Sequence, residues 1–173
     1  SDVVAGVLCA SKDRIQKIFE SEFMTLGGII SPYDAWLILR GIRTLPIRLK
    51  ASDETATKIV AFLEKNPKIE KVHYPFASNF PQLELAKKQM KGCGGLLSIE
   101  VKANSVAEME IFCNSLKYFL LACSWGGYES LQFPNCTLLT SQNYSSTSLP
   151  FNLVRLFVGL EEPQILIDDL SNA

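Results

Sequence analysis

Histidine and closely spaced cysteines are scarce in this sequence. His73 is the only histidine, and the five cysteines lie far apart with no Cys-x-x-Cys pair, at Cys9, Cys93, Cys113, Cys123 and Cys136. Neither a metal site of zinc-finger type nor a disulfide framework is therefore indicated. Any Ser-His or Cys-His nucleophile pair would have to use His73. Its position at the end of an apolar segment predicts a partly exposed structural residue instead.

Long hydrophobic runs and clusters of basic residues are also lacking. No apolar stretch approaches the roughly 18 residues of a membrane span, and no segment has the pattern of a signal peptide. The 17 Lys and Arg residues nearly balance the 18 Asp and Glu residues, and they are spread singly along the chain. A basic patch for nucleic acid or for anionic lipid is therefore not expected. These absences predict a soluble, cytoplasmic protein whose partners include neither nucleic acid nor membrane.

The chain has enough apolar material for one domain, or for one domain and part of another. It has 173 residues, of which 47% are hydrophobic, and a fold of this size buries about 70% of its unfolded surface. Residues 3–10 form a continuous apolar run, typical of a parallel-sheet strand that is buried on both faces. Such a strand needs neighbours reached through long crossovers, and nothing earlier in the sequence supplies them. We therefore expect the chain to be truncated at its front.

Periodicity and capping signals predict an alternation of helices and short strands along the rest of the chain. Ser105 and Glu108 form a capping box, followed by apolar residues at helical spacing. Helices are expected at about residues 12–25, 32–41 and 46–66, after Pro81, after Ser105 and from Pro163. Strands are expected near residues 69–73, 94–101, 118–122 and 153–158, and a surface loop at 137–148. This pattern predicts a small α/β layer domain.

Arg155 is the first candidate for a functional residue. It lies within the apolar segment Leu-Val-Arg-Leu-Phe-Val at residues 153–158, where a guanidinium is costly to bury without an anion. The planar fork of Arg donors matches a carboxylate, so one interpretation is a clamp for a substrate carboxylate. The other is an internal salt bridge to a residue such as Glu129. Strand position alone favours neither.

The second candidate is the segment Ser-Trp-Gly-Gly-Tyr-Glu-Ser at residues 124–130, which directly follows an apolar strand. Its glycines permit close backbone approach to a ligand, and Ser124 and Trp125 offer a hydroxyl and an apolar wall. Taken by its spacing alone, the segment is more typical of a turn that ends a strand. Cys93, between glycines that match neither a P-loop nor a dinucleotide motif, has no base nearby and is expected to be structural.

Four ordered segments resemble one enzyme family. Residues 31–45, 94–98, 124–130 and 153–161 are similar, in order and spacing, to the Cys/Met metabolism family of pyridoxal-phosphate enzymes. The resemblance implies the C-terminal half of a fold type I enzyme, with a mixed, largely antiparallel sheet covered by helices. It also implies that residues 1–45 are the tail of the large cofactor-binding domain and that residues 46–173 are the C-terminal small domain.

The same resemblance implies how the chain takes part in catalysis. Ser1 and Asp2 look like the continuation of a Gly-His-Ser-Asp stretch that follows the family's Schiff-base lysine, so that lysine would lie upstream. No catalytic, cofactor-binding or metal-binding residue is then expected in this chain. Arg155 matches the arginine that binds the α-carboxylate of the substrate, and Ser124 and Trp125 flank it. Pyridoxal 5'-phosphate is the implied cofactor of the full-length enzyme, which is expected to be a dimer or tetramer.

The function implied is a carbon-sulfur lyase that acts on cystathionine or a related sulfur amino acid by β-elimination. Residues 124–130 most resemble the β-lyase members, and Cys123 stands where γ-lyases often carry Glu. Residues 132–136 depart from the His-Pro-Ala-Ser stretch that is common in the family. The γ-synthase, cystathionine γ-lyase and methionine γ-lyase types therefore remain open. A different alternative is a non-catalytic domain that dimerises or binds amino-acid carboxylates.

Overall fold

The structure is a computed structural model that describes residues 3–139 and 149–173. Ser1, Asp2 and most of the predicted loop at residues 137–148 lie outside the described residues. The chain divides into two compact units, Ser1–Pro46 and Ile47–Ala173. In the described part of the chain, no helix is long and apolar enough to cross a membrane.

The first unit is helical. It contains α1 (Lys12–Ile18), a π-helical turn (Phe19–Phe23), α2 (Met24–Leu26) and α3 (Pro32–Ile42). The first helical stretch ends at Gly27, whose φ of 64° lies in the left-handed region that glycine adopts without strain. Ser31 caps α3, because its Oγ accepts the Asp34 N–H at 3.1 Å, and Pro32 occupies the first turn. Both helical predictions for this unit are confirmed.

The strand predicted at residues 3–10 is wrong. These residues have no regular secondary structure, and Val4 and Val7 are 98% and 87% exposed. A strand requires a neighbour that accepts and donates its backbone hydrogen bonds, and none of the described strands pairs with this segment. The apolar character of residues 3–10 therefore does not indicate a β-strand.

The second unit is built on a five-stranded sheet. Its strands are β1 (Ile69–His73), β2 (Leu96–Val101), β3 (Leu120–Leu121), β4 (Leu131–Pro134) and β5 (Leu153–Phe157). Its helices are α4 (Leu45–Leu63), which begins at the unit boundary, α5 (Leu83–Gln89), α6 (Val106–Ser115) and α7 (Pro163–Asn172). The strand order is β1-β2-β5-β4-β3, antiparallel except for the β3–β4 pair. The mixed, largely antiparallel sheet is thus confirmed.

The core lies on one face of this sheet. Leu97, Ile99 and Val101 alternate inwards along β2, as the period of two requires, and Val154 and Leu156 do so along β5. They join a cluster with apolar residues of α4, α6 and α7, including Ile59, Met109 and Leu166, which are fully buried. Ser98 of β2 and Arg155 of β5 lie between these residues and point to the other face, as does Phe133 of β4, which is paired with Arg155. The candidate residue Arg155 therefore lies on the face opposite this core cluster.

Strand β4 was not predicted. Gln132 interrupts its apolar pattern and is nevertheless only 3% exposed. Its Nε2 donates to the backbone oxygens of Cys113 at 2.8 Å and Phe119 at 2.9 Å, so the buried amide donor is satisfied by tertiary contacts. The neighbouring strand predicted at residues 118–122 is confirmed only at Leu120–Leu121.

Candidate functional site

Arg155 lies in the middle of a row of residues that crosses the sheet. It stands opposite Ser98 of β2 on one side and opposite Phe133 of β4 on the other. Directly opposed residues of antiparallel strands point to the same face, so the three side chains are neighbours. Arg155 is half-buried, which leaves part of its guanidinium accessible to a ligand.

The contacts of the Arg155 guanidinium are with neutral groups. Its Nη2 donates to the backbone oxygen of Cys123 at 2.6 Å and to that of Ser124 at 3.3 Å. The Phe133 ring lies beneath it, with 5.2 Å between Cζ and the ring centroid. No carboxylate among the described residues forms an ion pair with Arg155, so the alternative salt bridge to Glu129 is absent. A half-buried cation without an acidic partner is suited to an external anion.

The predicted residues Ser124 and Trp125 lie at the start of the adjacent loop. The structure brings Ser124 to Arg155 through its backbone oxygen, while its side chain is exposed. The Trp125 side chain is also exposed, at 59%. Gly126 has a φ of 89°, so a glycine is needed there for the chain to turn. The loop therefore presents a hydroxyl and an indole to solvent beside the arginine.

The other end of this loop is fixed by Glu161, which lies beyond β5. The Glu161 carboxylate accepts both the N–H and the Oγ–H of Ser130, each at 2.7 Å, and Ser130 is fully buried. Ser130 Oγ in turn accepts the Gly159 N–H at 2.9 Å. Leu160 adds a backbone bond to the oxygen of Tyr128 at 2.8 Å. Residues 123–130 are thus held at one end by Arg155 and at the other by Glu161.

Phe133 and Glu161 were not singled out from the sequence. Phe133 belongs to the unpredicted strand β4, and its contact with Arg155 depends on strand register. For Glu161 a signal was available, because it falls within the family-like segment at residues 153–161. Its partner Ser130 is distant in sequence, however, so the pair appears only in the fold.

Cys93, Cys113 and His73 are further reactive residues of the chain, and in the described structure each has a structural setting. Burial raises the pKa of Cys113 to about 12 and also raises the pKa of Cys93, which keeps both thiols protonated and unreactive. His73 Nε2 pairs with Glu100 Oε1 at 2.6 Å on the sheet surface. In the part of the chain that the structure describes, no group of three His, Cys, Asp or Glu residues could hold a metal ion.

The comparison with protein families decides what kind of protein carries this site. All residues, 1–173, match the family described as Cys/Met metabolism PLP-dependent enzyme. The chain belongs to this family of pyridoxal-phosphate enzymes. The predicted relationship, the fold class and the cofactor dependence of the family are thereby confirmed.

Curated members of the family align over the whole chain. It is 37% identical to cystathionine gamma-lyase of Rattus norvegicus and 36% identical to cystathionine gamma-lyase of Bacillus subtilis (strain 168). It is 36% identical to cystathionine gamma-synthase of Mycobacterium leprae. The alignments cover 100% of this chain but 44%, 46% and 45% of these relatives. The chain thus spans less than half the length of the relatives it matches.

The groups around Arg155 offer no amine that could form a Schiff base with pyridoxal phosphate. A Schiff base with the cofactor requires a lysine amine, and the contacts of Arg155 are with Phe133 and with the backbone of Cys123 and Ser124. None of these supplies such an amine. The described groups accordingly offer a cation with neutral contacts, to which an anion could bind.

Proposed function

We propose that this chain is the substrate-carboxylate-binding part of a pyridoxal-phosphate-dependent carbon-sulfur lyase of sulfur amino acids. The observation that supports this most is the Arg155 guanidinium, whose hydrogen bonds within the described residues go to backbone carbonyls and not to an acid. Among the described residues no hydrogen bond of its Nη1 or Nε is seen, and in this proposal these two nitrogens donate to the carboxylate. Ser124 and Trp125, exposed beside it, flank the bound substrate in this proposal.

The contribution of Arg155 to catalysis is orientation. In this family pyridoxal phosphate supplies the electron withdrawal that makes bonds at the substrate Cα labile. A fixed α-carboxylate determines which of those bonds is aligned for cleavage, because the carboxylate is one of the four substituents of Cα. Arg155 lies on a strand that is paired on both sides. The neighbouring loop at residues 123–130 contacts Arg155 at one end and Glu161 at the other. Both features support a fixed position for the carboxylate.

The proposed reaction is β-elimination of cystathionine. The segment at residues 124–130 supports it through its likeness to β-lyase members. The alternative is γ-elimination, which the names of the relatives, cystathionine gamma-lyase among them, favour. The two reactions cleave different carbon-sulfur bonds of the same thioether and are distinguished by their products.

Product analysis tests both the activity and its direction. The full-length, cofactor-loaded protein is incubated with L-cystathionine, and the keto acids and thiols are identified by mass spectrometry. β-Elimination consumes water and yields homocysteine, pyruvate and ammonia, which is the expected result. γ-Elimination yields cysteine, 2-oxobutyrate and ammonia, and would refute the β assignment. The cofactor-free protein is the negative control. If the cofactor-loaded protein forms neither keto acid and so does not differ from this control, the lyase proposal is contradicted.

The remaining parts of the proposal concern the rest of the full-length enzyme. We place the Schiff-base lysine upstream of these 173 residues, in the cofactor domain of which residues 1–45 form the tail, with residues 46–173 as the small domain. Support comes from the family resemblance and from the partial coverage of the relatives. We further propose a cytoplasmic homo-oligomer, either a dimer or a tetramer.

A further inference from the structure

The Phe133 ring lies against one side of the Arg155 guanidinium. The two residues are directly opposed in the β4–β5 pair, and Cζ is 5.2 Å from the ring centroid. A guanidinium at this distance over an aromatic face is attracted by the negative π cloud. Phe133 is itself half-buried, and its backbone is held in a paired strand.

The backbone carbonyls of Cys123 and Ser124 also contact the guanidinium. They take the hydrogens of one terminal nitrogen, Nη2, at 2.6 and 3.3 Å. The ring contacts the guanidinium from one side, and the two carbonyls hold its Nη2. Neither supplies a negative charge that would compete with an anionic ligand for the Nη1 and Nε donors.

We propose that Phe133 is a positioning residue that sets the orientation of Arg155 for the substrate carboxylate. This inference rests on the proposed function, since it assumes that Arg155 binds the carboxylate. Phe133 does not touch the substrate in this scheme. It acts by keeping the donor fork preorganised, so that less side-chain entropy is lost when the carboxylate binds.

The test compares an amino acid with the amine that lacks only its carboxylate. L-Norleucine and n-pentylamine share the alkyl chain and the amino group, and neither carries a leaving group. Calorimetric titration of the full-length, cofactor-loaded protein gives a dissociation constant for each. The ratio of the two constants reports the carboxylate contribution independently of turnover.

Phe133→Leu is expected to weaken L-norleucine binding about three- to tenfold, because the cation–π attraction is lost, while pentylamine binding stays unchanged. Phe133→Tyr keeps a π face and is expected to keep the wild-type ratio. Phe133→Met provides a second non-aromatic variant should the leucine variant fold poorly. With cystathionine, the non-aromatic variants are expected to raise KM more than they lower kcat.

The outcomes separate this inference from the proposed function. If Arg155→Lys changes the ratio but Phe133→Leu and Phe133→Met do not, Phe133 is no positioning residue although Arg155 binds the carboxylate. Equal weakening of acid and amine in the Phe133 variants would show a merely structural role and would also overturn the inference. If Arg155→Lys leaves the ratio unchanged, the assignment of Arg155 itself fails.

Discussion

Arg155→Gln in the full-length protein is expected to lower kcat/KM for cystathionine by about 100- to 1,000-fold, as for the loss of a buried charge-assisted pair. Glutamine is uncharged and offers one amide donor group in place of the guanidinium fork. The substrate carboxylate would then be desolvated without a cationic partner. Steady-state kinetics measure the effect, and both a higher KM and a lower kcat are expected, because the grip and the alignment at Cα are lost together.

Arg155→Lys is the matched variant for this prediction. It retains a positive charge but loses the planar fork and the stacking surface for Phe133. Its kcat/KM is expected to lie between the values of the wild type and of Arg155→Gln. Wild-type kinetics in the glutamine variant would remove Arg155 from the site. Equal losses in both variants would mean that geometry alone, and not charge, supports binding.

Gly159→Ala is expected to destabilise the full-length protein by about 3 kcal/mol, at the upper end of typical overpacking costs. A Cβ at this position would overlap the backbone oxygen of Tyr128 and lie 2.6 Å from the backbone carbon of Glu129. The backbone would have to move, and the link between Ser130 and Glu161 would be disturbed with it. Thermal unfolding followed by circular dichroism measures the change.

Gly127→Ala, in the same loop, is the control for this effect. There the added Cβ meets Glu129 Oε2 at 2.5 Å, which is the end of a flexible side chain. That oxygen is buried but has no hydrogen-bond partner among the described residues, so moving the carboxylate breaks no hydrogen bond of this atom. We expect a loss below about 1 kcal/mol, as for a substitution that leaves packing intact. Equal destabilisation by both alanines would contradict the role given to the Gly159 contact.

Elements with strong local signals were predictable from the sequence. The capping box at Ser105 opens α6, because the Ser105 Oγ accepts the Glu108 N–H at 3.3 Å. Alternation along β2 and β5 likewise places their apolar side chains in the core. In each case the pattern that indicates the element lies within a few neighbouring residues, so it is visible in the sequence.

Features that depend on distant partners were not predictable. Strand β4 was missed because Gln132 is satisfied by carbonyls far away in sequence. The run at residues 3–10 was overinterpreted, since hydrophobicity does not supply a neighbouring strand. For Arg155 the sequence identified a cation in need of a partner, but that its described contacts are the carbonyls of Cys123 and Ser124 and not Glu129 required the structure. The contact of Phe133 with Arg155 follows only from the register of the β4–β5 pair.

A crystal structure of the full-length, cofactor-loaded protein with L-norleucine bound would show directly whether Arg155 holds the α-carboxylate of an amino acid. We expect the carboxylate oxygens to lie about 2.7–2.9 Å from the Arg155 nitrogens, the range of charge-assisted hydrogen bonds. We also expect the Phe133 ring to remain beneath the guanidinium. A carboxylate bound elsewhere, with Arg155 still contacting carbonyls alone, would contradict the role proposed for Arg155.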